Sequence, residues 1–202
     1  NTDNFMFPVT HKSAERWLAF FIRSKFNKFG HYQDFINKDN SYMFHSLLST
    51  SINIGLLTPN KIIEIIMRVQ GIPTNSFEGF IRQLFWREYQ RYIYRQGDIR
   101  KKCNYFGNTK RLTTKWYTGS HGVQPLDDAI RTGIETGYLH HILRLMVVGN
   151  YMNLSGISPK QGFRWFMEFS CDSYEWVMYQ NVYGMAFYAD GGITSRRPYL
   201  SS

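Results

Sequence analysis

Twice in this chain a hydroxyl residue stands directly before a proline and then an apolar run at helical spacing. Thr58-Pro59 precedes Ile62, Ile65, Ile66 and Val69, and Ser158-Pro159 opens a stretch that keeps the pattern through Tyr179. The hydroxyl can cap the first backbone N–H groups of a helix, and proline suits the first turn because its missing N–H would have no partner there. The first of these helices is predicted to close before Gly71 and Pro73. From Ala14, residues Trp17, Leu18, Phe21 and Ile22 repeat the period, with Arg16 and Arg23 on other faces. Ser76 reads as the cap of a further helix in which Phe80, Leu84 and Trp86 face inward and Arg87, Arg91 and Arg95 recur every four residues. The pattern returns over about 126–154, with Gly133 and Gly137 marking a break. No alternating strand pattern competes with it, so the expected fold class is all-α, in one domain over 1–202.

Between Gly97 and Gly122 the periodicity fails. The stretch is basic (Arg100, Lys101, Lys102, Lys110, Arg111, Lys115) and interleaved with Tyr105, Phe106, Trp116 and Tyr117. Rings are costly to leave in water, so an ordered loop is expected rather than a linker. With 43% hydrophobic and 17% aromatic residues, the chain has material for one sizeable core. Its 24 Lys and Arg against 15 Asp and Glu give a formal charge of +9, a field that favours polyanions such as nucleic acid. Cys103 and Cys171 lie far apart and form no CxxC pair, which supports neither a disulfide framework nor a cysteine metal site. No apolar run nears the roughly 18 residues needed to span a bilayer, and no signal sequence is evident, so a soluble cytoplasmic location is expected. The chain starts at Asn1 without Met and stops at Ser202 just after a motif, as a fragment of a longer protein would.

Three stretches carry residue types suited to chemistry. Ser46, Ser49, Thr50 and Ser51 cluster just before a helix; they suit a phosphate, and equally simple caps. Gln83 and Arg87 share a helix face with Phe80, beside Trp86 and Glu88. Such a face can grip a ligand edge and a phosphate, or Arg87 can pair with Glu88 while the rings fill the core. In His140-His141, a continuous α-helix would put His141 on one face with Arg144 and Leu145 and turn His140 about 100° away. Trp165, Trp176, Trp116 and Tyr117 are easily oxidised side chains that packed helices can bring together, or ordinary core aromatics.

The stretches FGHYQDFI, FHSLLSTSINIGLL, EGFIRQLFWREY, HHILRLMVVGNY, YEWVMYQNVYGM and ADGGITSRRPY occur in that order. In them the chain resembles, from about Phe7 to Ser202, the C-terminal FAD-binding helical domain of the photolyase and cryptochrome superfamily. The resemblance is to the bacterial (6-4) photolyase-related branch that includes iron–sulfur photolyases. It implies FAD as cofactor, with Ser46, Leu47, Leu48 and Ser49 at its phosphates, Tyr32 beside them, and Gln83, Arg87, Arg144, Asp190 and Gly191 at the cofactor or its edge. Gln83 stands where many photolyases have a glutamate, which points away from cyclobutane dimers. By the same resemblance His140 and His141 border a lesion pocket, with His141 the proton donor. Trp86 and Tyr199 would meet flipped-out bases, and Arg196 and Arg197 phosphates of lesion-bearing DNA.

Trp165 matches a tryptophan of the family's electron-transfer chain. Tyr117 appears where relatives carry the next tryptophan, and Phe166 where a tyrosine can occur. Cluster-bearing relatives have a cysteine near the position of Pro125 and three more beyond Ser202, so no iron–sulfur cluster is expected in this chain. The family's N-terminal antenna domain is absent from the sequence, and a monomer is expected. The function implied is light-driven repair of (6-4) photoproducts by electron transfer from reduced flavin. A cryptochrome-like photoreceptor that signals through a protein partner, or a flavin-free DNA-binding remnant, would share much of the same sequence.

Overall fold

A computed structural model describes residues 5–97 and 103–200; Arg100, Lys101 and Lys102 of the basic stretch lie outside them. The chain divides into two compact units, one up to Tyr89 and one from Gln90. Among the described residues the regular structure is helical, apart from an isolated parallel pairing of Lys110 with Ile157. None of these helices is long and apolar enough to cross a membrane.

The first unit opens with α1 (His11–Ser24), fixed by a reciprocal cap. Thr10 accepts from the backbone of Ser13, and the Ser13 hydroxyl accepts from the backbone of Thr10. Ala14, Leu18 and Phe21 form its buried stripe, with Trp17 and Ile22 at the margin. After α2 (Phe26–Tyr32) and the short α3 (Ser49–Asn53), α4 (Pro59–Ile66) starts as the sequence predicts, with Thr58 accepting from the Lys61 N–H at 3.2 Å. It stops at Ile66, and Ile62 and Ile66 carry its core contact.

The long helix α5 (Thr74–Arg95) begins earlier than the sequence implied. Ser76 is not its cap. It is fully buried, its hydroxyl accepting from the Gly30 N–H at 2.8 Å and donating to the Asn27 carbonyl at 3.0 Å, which ties α5 to α2. That approach requires Gly30, since a Cβ there would lie 2.4 Å from the backbone of Asn75. Phe80 and Leu84 then reach a core with Phe21, Phe26 and Phe29, where the Phe21 and Phe80 centroids are 5.0 Å apart. Each such ring or aliphatic chain contributes about 1.5–3 kcal/mol on burial.

In the second unit, α6 (Lys115–Thr118) seats Trp116 in the core, so the non-periodic stretch is ordered where it is described. α7 (Gln124–Thr136) follows, with Pro125 in its first turn, and ends at Gly137, whose φ is 67°. The break lies at Gly137 alone; Gly133 stays inside α7 and makes room for Phe169 and Leu139. Two π-helical turns, π1 (Leu143–Gly149) and π2 (Gln180–Ala186), flank α8 (Asn150–Leu154), α9 (Pro159–Phe169) and α10 (Glu175–Tyr179). The stretch from Ser158 to Tyr179 is therefore not one helix. It is interrupted after Phe169, where the Asp172 side chain turns inward and the Cys171 N–H bonds the Gly137 carbonyl at 2.8 Å. π1 and π2 pack together, and a Cβ on Gly149 would meet that of Ala186 at 2.8 Å. Trp165, Phe187, Ile130, Leu139 and Met152 fill this unit's core.

Candidate functional site

Within the first unit, residues 46–48 form a turn into α3, so Ser49, Thr50 and Ser51 stand in the helix itself and not before it as the sequence implied. Leu47 sits at φ 57°, a left-handed conformation uncommon for a residue with a branched side chain. The side chains of Leu47 and Leu48 point into the protein, at 3% and 1% exposure, so only their backbone can face a ligand. Trp17 steadies the turn by donating to the Ser46 carbonyl at 2.9 Å, and the Ser46 hydroxyl accepts from the Leu48 N–H at 3.5 Å. Behind it the Thr50 and Ser51 hydroxyls are buried without a hydrogen-bond partner among the described residues. A buried hydroxyl without a partner costs about 1–3 kcal/mol, and such groups concentrate where a ligand supplies the missing bond.

Tyr32 lies against Phe44 at a centroid distance of 5.0 Å, which brings α2 alongside this turn. Lys28 covers the Phe44 ring, and Lys25 donates to the His45 carbonyl at 3.4 Å. Burial pushes the Lys25 ammonium below its ordinary pKa. Two ammonium groups therefore stand at Phe44 and His45, just before the backbone turn, and ammonium and backbone N–H donors are the kind that fit a pyrophosphate such as the one in FAD.

At the other end of α3, Arg87 donates to Asn53 Oδ1 at 3.2 Å and also pairs with Glu88. The pairing of Arg87 with Glu88 left open by the sequence is thus formed. Gln83 is exposed, one turn before Arg87 on α5, and Trp86 is half-buried and stacks on Tyr89 at 5.4 Å.

Within the second unit, the histidine stretch departs from the expected register. His140 precedes the helix, and the turn after Ile142 is π-helical, so the face that an unbroken α-helix would give His141, Arg144 and Leu145 does not form as expected. His140 is 2% exposed, while His141 is not buried; their rings lie 6.2 Å apart. Burial, then the neighbouring His141 and Arg144, lower the pKa of His140 to about 4, so its ring is neutral at pH 7.

Arg144 donates from Nη2 to Asp172 Oδ1 at 2.9 Å and from Nε to the Leu139 carbonyl, and lies over the Tyr138 ring. Burial opposes its charge, but Asp172 and Tyr138 outweigh that and raise its pKa. Ser170 donates a second hydrogen bond to Asp172 at 2.6 Å. Nothing in local spacing marks Asp172 as the partner of a residue 28 positions away.

Trp165 and Trp116 are buried edge to face, with centroids 6.2 Å apart, and the Trp165 indole donates to the Trp116 carbonyl at 2.8 Å. Tyr117 is 45% exposed and its hydroxyl donates to Glu168 at 2.8 Å. Of the easily oxidised side chains named from the sequence, the fold thus brings Trp116 against Trp165.

At the chain's far end, both carboxylate oxygens of Asp190 are engaged by its own loop: the Gly192 N–H at 3.1 Å, the Thr194 N–H at 3.0 Å and the Thr194 hydroxyl at 2.6 Å. Gly191, at φ 67°, packs beneath Tyr105. Arg196, Arg197 and Tyr199 are exposed.

The family model for the FAD binding domain of DNA photolyase matches residues 80–199. The chain is 42% identical over 205 residues to a (6-4) photolyase of Agrobacterium fabrum, an alignment that covers 99% of this chain and 40% of the relative. Its fold is similar to a bacterial class III photolyase from Agrobacterium tumefaciens, with a TM-score of 0.79 and 20% identity over 94% of this chain and 39% of that one. A Synechocystis cryptochrome gives a TM-score of 0.78 and 19% identity over 96% of this chain and 41% of that one. These two structural likenesses bear on the fold alone. The chain thus spans about two fifths of the length of these relatives.

Proposed function

This chain belongs to the family of FAD-binding domains of DNA photolyases, and from that premise we propose that it binds FAD and acts in light-driven repair of (6-4) photoproducts in DNA. One observation carries the choice of lesion: 42% identity to a (6-4) photolyase, sustained over 99% of the chain. Bound here, FAD would supply the light-driven electron transfer that this repair requires.

The residues of this chain divide the remaining tasks. The backbone of 46–49, the Thr50 and Ser51 hydroxyls, Lys25, Lys28 and Tyr32 hold the pyrophosphate, giving the buried hydroxyls the partners they lack. Gln83 and Arg87 lie at the cofactor's edge. Asp172 holds the Arg144 guanidinium in place while Arg144 faces the cofactor, so the cation is positioned without having to be desolvated on binding. Asp190 fixes its own loop by accepting from Thr194, with Gly191 in it at φ 67°, and the resemblance puts both beside the cofactor.

His141 exchanges a proton with the lesion while the electron is away. His140 stays neutral over the working pH range and serves as a hydrogen-bonding wall rather than an acid. Trp86 and Tyr199 present rings to an extruded base, and Arg196 and Arg197 present positive charge to phosphates. Trp165 and Tyr117 belong to the route that reduces the flavin.

The test is to add FAD to the purified chain, reduce it, and illuminate it with duplexes carrying a (6-4) photoproduct or a cyclobutane dimer. The proposal expects a bound-flavin spectrum and loss of the (6-4) photoproduct only, with His141→Ala repairing at least 100-fold more slowly. A bound flavin that repairs neither lesion favours a photoreceptor. A chain that takes up no flavin is a DNA-binding remnant and ends the proposal.

A further inference from the structure

Aromatic rings are costly to leave in water and are expected to find a core. Of those in the basic stretch after Gly97, Trp116 does, but Tyr105 and Phe106 stay 65% and 43% exposed. Their loop is nevertheless fixed. The Asn104 side chain donates to the Asn108 carbonyl at 2.9 Å and accepts from the Asn108 N–H at 3.1 Å, and the Asn108 side-chain amide donates to Asn153 Oδ1 at 2.8 Å. Lys110 is held on both sides of its backbone, its N–H donating to the Gly156 carbonyl at 2.9 Å and its carbonyl accepting from the Ser158 N–H at 3.0 Å. The Tyr105 N–H donates to the Ala189 carbonyl at 3.0 Å, and its ring rests on Gly191, where a Cβ would come within 2.8 Å.

Three rings gather there. Tyr105 meets Phe106 and Tyr188 edge to face, with centroids 5.2 and 5.6 Å apart, and Phe106 tilts over Tyr188 at 6.0 Å. No ring lies stacked on Tyr105 or Phe106 among the described residues. The charge beside them has one sign: no acidic residue stands between Asp98 and Asp127, and Lys110 and Arg111 are exposed and form no ion pair among the described residues. A protein partner would have to bring apolar and acidic groups together to match this surface, whereas each nucleotide carries a flat ring and a phosphate. We propose that Tyr105, Phe106, Lys110 and Arg111 form a binding site for an unpaired, undamaged DNA strand, with the two rings stacking on bases and the two cations meeting phosphates. Tyr188 and Gly191 support the rings from below. The contact needs neither flavin nor lesion, and so goes beyond the flavin reading.

The measurement is fluorescence anisotropy, in the dark and without added flavin, of a labelled oligothymidylate of about 12 nucleotides titrated with the purified chain. An abasic strand of the same length has the charge but not the bases and is expected to bind about tenfold more weakly. Tyr105→Leu and Phe106→Leu keep apolar bulk and lose the ring face; each weakens oligothymidylate binding about tenfold, while Phe106→Trp binds as tightly as the parent. Lys110→Gln and Arg111→Gln each lower the slope of log affinity against log salt by about 0.7.

Other rings of the chain, Trp86 and Tyr199 among them, can also hold a base, so the site is located by cross-linking. An oligonucleotide bearing 5-iodouracil, irradiated on the parent chain, is expected to leave its adduct on Tyr105 or Phe106. An adduct confined to other residues overturns the proposal, as does a parent chain that does not bind the strand. Leucine variants that bind like the parent also overturn it, and leave an apolar face for a protein partner instead. Because the cross-link is read on the parent, it decides the matter even where a variant misfolds. Failure of the chain to take up FAD leaves each of these results unchanged, so the two readings fail separately.

Discussion

In the first unit, Thr50 and Ser51 bury hydroxyls that find no hydrogen-bond partner among the described residues, whereas in the second the guanidinium of Arg144, partly buried, ends on Asp172 and on the Leu139 carbonyl. The two segments carry polar groups that the resemblance assigns to one cofactor, yet they meet the cost of burial differently. A hydroxyl costs little enough to be left waiting for a ligand; an unpaired guanidinium does not. The charged segment is therefore complete before any ligand arrives, and the hydroxyl segment is not.

The largest expected effect breaks the completed side. Asp172→Ala strands the Arg144 charge and costs about 4 kcal/mol of stability, read by urea unfolding; a cost under about 1 kcal/mol would mean that water reaches Arg144 and that the contrast fails.

Next is pH. An unfolded histidine takes up a proton near pH 6.5, whereas folded His140 resists until about pH 4. The stability that its neutral burial confers is thus present above pH 6.5 and lost as pH falls toward 4, by about 3 kcal/mol in all. His140→Gln should flatten that slope in unfolding experiments repeated across the range.

A smaller but sharper test lies on the waiting side, where the sign reverses. Thr50→Val removes a partnerless hydroxyl, so the flavin-free chain should gain about 1 kcal/mol while its FAD dissociation constant rises about tenfold, measured by titration. The matched control is Thr58→Ala, whose hydroxyl does have a partner at Lys61; it should lose about 1 kcal/mol and leave FAD affinity alone. Loss of stability in both variants would show that Thr50 is satisfied in the folded chain.

The same contrast runs through what could be read from the sequence. The Thr58 cap, the stripe of Ala14, Leu18 and Phe21, and the stop at Gly137 were legible because each depends on groups within a turn or two along the chain. Ser76 was misread because its composition fits a cap, while its actual partners, Asn27 and Gly30, are 46 or more positions away. The hydroxyl cluster at 46–51 was visible as a cluster, but not that Thr50 and Ser51, rather than Ser46 and Ser49, are the buried and partnerless members.

What the sequence by itself determined is the helical class, most helix starts, the family, and the residue types gathered at each motif. Tertiary structure decided the register of 140–149, the pairing of Arg144 with Asp172 and the pairing of Tyr117 with Glu168. The physical reason is range. An α-helical and a π-helical turn differ by one residue in hydrogen-bond spacing, and a 3.6-residue pattern does not distinguish them; close packing, such as that of Gly149 on Ala186, weighs in that choice. Charge pairing likewise follows from which helices the packed core brings side by side.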